Sequence, residues 1–258
     1  MQTIDFFLQK IKQDGWIKFD QVLNDDTIQS LNRGLEIAYD KCRTVQVKNG
    51  IDVNTDGTVH HLLGQDESFL KVISDGFLHQ YIKAFFDQPY IVNSFGGVIN
   101  MKNKLSYVGK IHRDIRTFYN VPMMVNMLIL LDDFTLENGA TWFLNGSHLK
   151  DEKPGEEYFY ANAQRATGRK GDIILFDSNL WHAAGENTTD RMRRALTLTF
   201  TRPFMKQQLD YPRFIGYNRM NEFDNEVQQV LGYHSRMPSN LDEWYQLPQN
   251  RFYRPGQG

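Results

Sequence analysis

In the segment Lys110-Ile-His112-Arg-Asp114-Ile-Arg116-Thr-Phe118, an imidazole and a carboxylate stand two residues apart. Residues two apart in a strand point to the same face. The spacing therefore predicts that His112 and Asp114 offer a nitrogen and an oxygen to one ion. A second histidine, His182, lies 68 residues beyond Asp114, just after the apolar run Gly171-Asp-Ile-Ile-Leu-Phe176. That gap is long enough for several antiparallel strands to return the chain to the same place. Two histidines and one carboxylate on one side of an ion leave the opposite positions open. Non-haem Fe(II) sites use this arrangement to admit a cosubstrate and O₂. His112, Asp114 and His182 are thus candidate metal ligands and a candidate catalytic set, the alternative for His112 being a surface or hydrogen-bonded histidine in a strand.

An H-x-D pair alone is a weak signal, and Arg193 strengthens it. This arginine opens Arg193-Arg-Ala-Leu-Thr-Leu-Thr-Phe200, 11 residues beyond His182. Period two places Arg193, Ala195, Thr197 and Thr199 on one face, and Arg194, Leu196, Leu198 and Phe200 on the other. The second face reads as core, the first as a polar interior wall on which a guanidinium needs an anion. Its planar fork matches a carboxylate bidentately, and the distal carboxylate of 2-oxoglutarate would supply one. Arg191 and Arg194 read as solvated charges at a turn.

Other candidates divide between site and scaffold. Asn126 interrupts the apolar strand Met124-Val-Asn-Met-Leu128, and a buried amide must be hydrogen-bonded. It is either a satisfied core residue or a cosubstrate contact. Arg116 and Phe118 share the expected face of His112 and Asp114, so they line a substrate pocket or, for Arg116, extend into solvent. His148 reads as structural. His60 and His61 sit in a polar loop that is either plain surface or folds over the site. Met123, Met124 and Met127 read as core filler, and Trp142 and Trp181 as packing residues.

These residues need elements to position them. Asp5 to Gln13 is a short amphipathic helix closed by Gly15, and Trp16 to Phe19 alternates as a strand. Asp25 and Asp26 sit where an N-cap is wanted, before a helix to about Cys42. Residues 45 to 60 are polar and turn-rich. Glu67 to Phe86 holds two helical stretches broken near Asp75-Gly76. From residue 90 the period changes to two. The expected strands are Tyr90 to Met101, Ile111 to Tyr119, Val121 to Leu131, Ala140 to Leu144, Asp172 to Phe176 and Arg193 to Phe200, with turn glycines between them. Helices followed by short strands suggest helices laid against one face of a sheet sandwich or barrel. From about residue 205 an aromatic, proline-bearing tail reads as ordered loops with one short helix near Glu222 to Leu231.

Composition bounds the function. Of 258 residues, 29 are Lys or Arg and 31 Asp or Glu, for a net charge of −2. No basic excess exists to neutralise a polyphosphate backbone, which disfavours nucleic acid as a partner. The single cysteine, Cys42, fits a reducing compartment. The first residues have neither the charge pattern nor the cleavage site of a signal peptide. No uncharged apolar stretch approaches the roughly 20 residues of a membrane helix. A cytoplasmic protein acting on a small molecule, with no membrane partner, is the expectation.

Three blocks carry a resemblance to a known family. They are His112-Arg-Asp114, then Leu131-Asp-Asp-Phe-Thr-Leu-Glu-Asn-Gly-Ala-Thr141 running on to Asn145-Gly-Ser-His148, then Gly171 to Phe176 with Trp181-His182, Gly185-Glu-Asn187 and Arg193. On these the chain resembles the phytanoyl-CoA dioxygenase family of Fe(II)/2-oxoglutarate-dependent oxygenases. It departs where Asn145 replaces the family's usual proline. It departs again at Ala184, where some members carry a hydroxyl that contacts 2-oxoglutarate. The resemblance implies a mainly β fold, a double-stranded β-helix or jelly roll with N-terminal helices packed on one sheet. It implies one domain over 1–258, with helical support (1–89), jelly-roll core (90–204) and C-terminal loops (205–258). It further implies Fe(II) held by His112, Asp114 and His182, 2-oxoglutarate anchored by Arg193, and O₂ as the second cosubstrate. Hydroxylation of an aliphatic C–H bond with release of succinate and CO₂ is the expected outcome. Asp114 favours hydroxylation over halogenation, since related halogenases have a small residue there.

Two other classes compete. A non-catalytic jelly-roll protein would keep the metal as a sensor or structural element, but it has no need of the anchor Arg193. The same iron chemistry ending in desaturation, cyclisation or epimerisation has the same residues.

Overall fold

The computed structural model describes residues 2–53, 55–103 and 107–257. Helix α1 (Ile4–Asp14) starts where Thr3 Oγ1 accepts the Phe6 N–H and stops at left-handed Gly15. Its buried face is Phe7 and Ile11. Strand β1 (Trp16–Phe19) follows at once, then helix α2 (Asp25–Lys48). The N-cap of α2 is Asn24, whose Oδ1 accepts the Thr27 N–H at 2.9 Å, one residue ahead of the expected aspartates. The helix also outruns the expected end at Cys42. Nothing between Arg43 and Lys48 breaks a helix, although Val45 and Val47 point into solvent and end the apolar stripe.

Strand β2 (Thr58–Val59) lies inside the stretch read as a polar excursion and pairs with the next strand. Helices α3 (Glu67–Ser74) and α4 (His79–Phe86) are the two expected stretches. They lead into β3 (Ile91–Asn100), β4 (Met124–Leu130) and β5 (Thr141–Phe143). The expected start of β4 at Val121 moves to Met124, because Pro122 has no N–H to give a ladder. Helix α5 (Glu156–Asn162) and strand β6 (Gln164–Ala166) were not anticipated. Strands β7 (Ile173–Asp177), β8 (His182–Ala183) and β9 (Arg193–Thr201) complete the sheets. The tail carries α6 (Tyr211–Ile215), α7 (Asn225–Leu231) and α8 (Leu241–Trp244), against one short helix expected.

One sheet has the order β1-β7-β4-β9-β3-β2, the other β6-β5-β8, with antiparallel pairing throughout. The mainly antiparallel sheets with flanking helices form an open double-stranded β-helix. Alternation along the strands sorts the core into two layers. Val125, Met127, Ile129, Leu196, Leu198 and Phe200 pack with the helices on the outer face of the larger sheet. Leu128, Phe143, Ile174 and Phe176 fill the space between the sheets. Each fully buried side chain of this size contributes about 1.5–3 kcal/mol, so the scaffold is held chiefly by the helix-backed layer. Among the described residues no helix is long and apolar enough to cross a membrane.

Gly15 packs the end of α1 closely against the turn at His148 and the segment at Leu180. Its φ is +85°, and a Cβ there would lie 2.6 Å from both the His148 and Leu180 side chains. His148 itself is buried, with Nε2 3.1 Å from the Lys12 carbonyl. It packs on α1 as scaffold.

Candidate metal centre

The segment 111–119 is not a strand. A single bridge joins His112 to His182, with His112 N–H donating to the His182 carbonyl at 2.9 Å and the reverse bond at 2.8 Å. Two residues on, the N–H groups of Asp114 and Ile115 both donate to the Ser178 carbonyl, at 3.1 and 3.3 Å. Two successive donors converging on one acceptor bend the chain, so a ladder cannot continue. The bend still leaves His112 and Asp114 side by side.

One ligand atom from each of His112, Asp114 and His182 can be chosen so that all lie within 4.8 Å of one another. Asp114 Oδ1 is 3.6 Å from His112 Nε2, and Oδ2 is 3.8 Å from His182 Nε2. Each imidazole is oriented by a backbone carbonyl. His112 Nδ1 donates to Lys110 O at 2.7 Å and His182 Nδ1 to Leu180 O at 2.9 Å. A carbonyl only accepts, so the proton sits on Nδ1 and the Nε2 lone pair is free for a metal. Burial, with the neighbouring His112, pushes His182 down to about 4, which keeps it neutral at physiological pH. Phe176 and Phe143 shield its ring, with centroids 5.0 and 5.9 Å away.

The carboxylate is held from the larger sheet. Asn126, fully buried on β4, donates from Nδ2 to Asp114 Oδ2 at 2.7 Å and accepts from Thr199 Oγ1 at 2.8 Å. It is thus a satisfied buried amide, the first of the two sequence readings, and its bond fixes the Asp114 carboxylate. Thr199 was legible only as a member of the Arg193 face.

A cavity of about 680 Å³ opens beside these three side chains. Arg193, Ala195, Thr197 and Thr199 line it together, on the face that period two assigned. Arg193 is 2% exposed, and its Nε and Nη2 have no hydrogen-bond partner among the described residues. Its guanidinium lies 4.2 Å from the Phe134 ring centroid. Burial lowers its pKa to about 10, which leaves it protonated at neutral pH. Arg194, read as a solvated charge, is instead clamped by Asp132, with Nε to Oδ2 at 2.9 Å and Nη2 to Oδ1 at 2.8 Å.

Arg116 lines the cavity mouth, whereas Phe118 is absent from its walls and lies 5.8 Å from the Arg113 guanidinium. His60 and His61 do line the cavity, because β2 pairs with β3 and brings the loop over the site. His61, at φ +58°, has Nδ1 3.1 Å from the buried Tyr211 hydroxyl, which accepts the Phe95 N–H at 2.9 Å. No local pattern announces that contact, since its partners are 150 residues apart. Of the three methionines, Met127 is core, while Met124 faces the cavity. Trp181 packs with Leu144 and Phe159, and Trp142 packs against that cluster.

Two packed antiparallel sheets with a two-histidine, one-carboxylate cluster between them define the class, a double-stranded β-helix built for a metal. The family model described as phytanoyl-CoA dioxygenase matches residues 11–195. The chain belongs to this family of Fe(II)/2-oxoglutarate-dependent oxygenases, whose metal is Fe(II) and whose cosubstrates are 2-oxoglutarate and O₂. An uncharacterized protein of Mycobacterium tuberculosis is 46% identical over 134 residues, 52% of this chain and 49% of that protein. The chain thus spans about half the length of the mycobacterial relatives it matches. The dioxygenase cdmA of Talaromyces verruculosus is 27% identical over 88% of this chain and 82% of its own. Among solved structures, HygX of Streptomyces hygroscopicus, with nickel and 2-oxoglutarate bound, superimposes with a TM-score of 0.63 at 17% identity, covering 78% of this chain and 88% of its own. The 2-oxoglutarate-dependent epimerase SnoN from nogalamycin biosynthesis gives 0.59 at 15% identity, over 77% and 82%. At such identities these structures report the shared fold.

Proposed function

We propose that the whole chain is one oxygenase domain that hydroxylates an aliphatic C–H bond of a small or medium-sized metabolite, releasing succinate and CO₂. In this reading His112, Asp114 and His182 hold Fe(II), and Arg193 receives the distal carboxylate of 2-oxoglutarate. The observation that carries it is the buried, partnerless fork of Arg193 on the cavity that holds the ligand cluster. An unpaired buried guanidinium is costly, and a carboxylate offsets that cost bidentately.

When bound, the iron supplies oxidation of the substrate by O₂, coupled to decarboxylation of 2-oxoglutarate. The chain's own residues provide placement. The carbonyls of Lys110 and Leu180 fix both imidazoles as neutral ligands, and Asn126 fixes the Asp114 carboxylate. Thr141 and Thr197 line the same cavity and can give the cosubstrate hydrogen bond that Ala184 cannot. Phe176, Leu128 and Met124 form an apolar wall that excludes water from the reacting carbon.

Succinate release from 2-oxoglutarate with Fe(II) and ascorbate tests the reading. Purified protein should give metal-dependent succinate above a His112→Ala control. A wild-type protein that binds neither Fe(II) nor 2-oxoglutarate would overturn it. Epimerisation at the same site is the second reading, supported by the fold shared with the epimerase. Product mass separates the two, since hydroxylation adds one oxygen and epimerisation adds none.

A further inference from the structure

We infer that the substrate carries a carboxylate or a phosphate that docks on Lys110, Arg116 and Lys153 at the cavity mouth. The inference rests on the oxygenase reading and names the substrate class for the same site. Among the described residues lining the cavity, the cations are Lys110, Arg113, Arg116, Lys153 and Arg193, and Asp114 is the lone carboxylate. Two of these cations are already committed. Arg193 faces the cosubstrate pocket, and Arg113 bonds Asp151 and stacks 5.2 Å from the Trp181 ring. The other three have no ion-pair partner among the described residues, although the chain as a whole has a net charge of −2. Like charges gathered on a concave rim focus a field that draws in an anion.

Their placement ties that anion to the reacting centre. Lys110 and Arg116 flank the ligand segment, two residues before His112 and two after Asp114. Asp151, two residues before Lys153, is bonded to Arg113, which ties the chain around Lys153 to the segment that carries Lys110 and Arg116. The inner wall offers Met124, Leu128 and Phe176 to the apolar part of the molecule. An anionic head outside and a carbon skeleton inside match that division of the cavity.

The test uses anaerobic protein loaded with Fe(II) and saturating 2-oxoglutarate, so that the cosubstrate pocket is filled. Calorimetric titration with octanoate, octyl phosphate and octanol then reads the rim. At least one anion should bind about tenfold or more tightly than octanol, and the advantage should shrink as salt rises. Octanoate and octyl phosphate separate the carboxylate from the phosphate source. The Lys110→Ala/Arg116→Ala/Lys153→Ala protein should lose the preference while keeping its affinity for 2-oxoglutarate. Arg116→Lys, which retains the charge, should keep most of it. Anions that bind no better than octanol, or a triple variant that still prefers them, would overturn the inference. Failure of the wild-type protein to bind 2-oxoglutarate counts against the oxygenase reading instead, and the difference in anion preference between wild type and the triple variant still reads the rim.

Discussion

Asn126 Nδ2 lies 2.7 Å from Asp114 Oδ2, so a buried amide of the larger sheet holds the carboxylate that faces both histidines. The amide is itself fixed by Thr199 Oγ1 at 2.8 Å. Partners behind metal ligands typically contribute about 10–100-fold to metal affinity. Asn126→Ala should therefore weaken Fe(II) binding by roughly that factor, and Thr199→Val by less. Metal titration against wild type checks both. An unchanged affinity in Asn126→Ala would show that Asp114 needs no orienting partner.

His112→Ala, Asp114→Ala and His182→Ala should each weaken metal binding by more than that outer-shell range and leave the fold intact. The helix-backed core layer contains none of the three. Circular dichroism and metal titration together check this. Asp114→Gly should open a coordination position without improving hydroxylation.

Arg193→Ala should raise the 2-oxoglutarate Kd by at least about tenfold, since losing one partner of a buried charge pair typically costs about 2–5 kcal/mol. Fe(II) affinity should change little. Arg193→Lys should recover only part of the loss, because a point charge cannot reproduce the fork. Arg194→Ala removes the clamp on Asp132 and should lower stability while sparing 2-oxoglutarate affinity. Binding isotherms and thermal melts on the three variants separate these roles.

Asp177 gives a pH signature of stability. Burial raises its carboxyl to about 6 from an unfolded value of 3.8. Between those values the folded chain binds more protons than the unfolded one, so this group's contribution to stability falls as pH rises from about 4 to 6. At pH 7 the ionised, partly buried carboxylate costs on the order of 1–3 kcal/mol. Asp177→Asn keeps an acceptor for the Asn179 N–H, now 2.8 Å from Asp177 Oδ1, and removes the charge. It should raise stability at pH 7 and lose that advantage below about pH 4. Equal gains at both pH values would mean that the charge is not the cause.

Sequence periodicity reached far into this fold, because β7 and β9 are buried on both faces with a clean division of side chains. The alternation from Arg193 to Phe200 assigns the cavity face without reference to any other strand. Where the chain bends on a distant acceptor, the same rule fails. Residues 111–119 alternate like a strand, yet the Ser178 carbonyl ends the pairing. Asn126 stood out as a polar residue among apolar ones, but its partner on the ligand segment is a tertiary fact. The Arg194 clamp and the His61–Tyr211 contact are hidden for the same reason, since each joins residues at least 62 apart.

The mutual backbone bridge between His112 and His182 has a consequence for how this site tolerates change. The two histidines are spaced by bonds to each other, so the length of chain between them does not enter the spacing of their rings. Insertions in the outer turns of that excursion should leave the spacing of the two imidazoles untouched, whereas a one-residue slip within the bridge should turn one imidazole away from the other. Variation can therefore accumulate in the intervening loops while the histidine pair stays fixed, as a tool with an exchangeable jaw keeps its pivot.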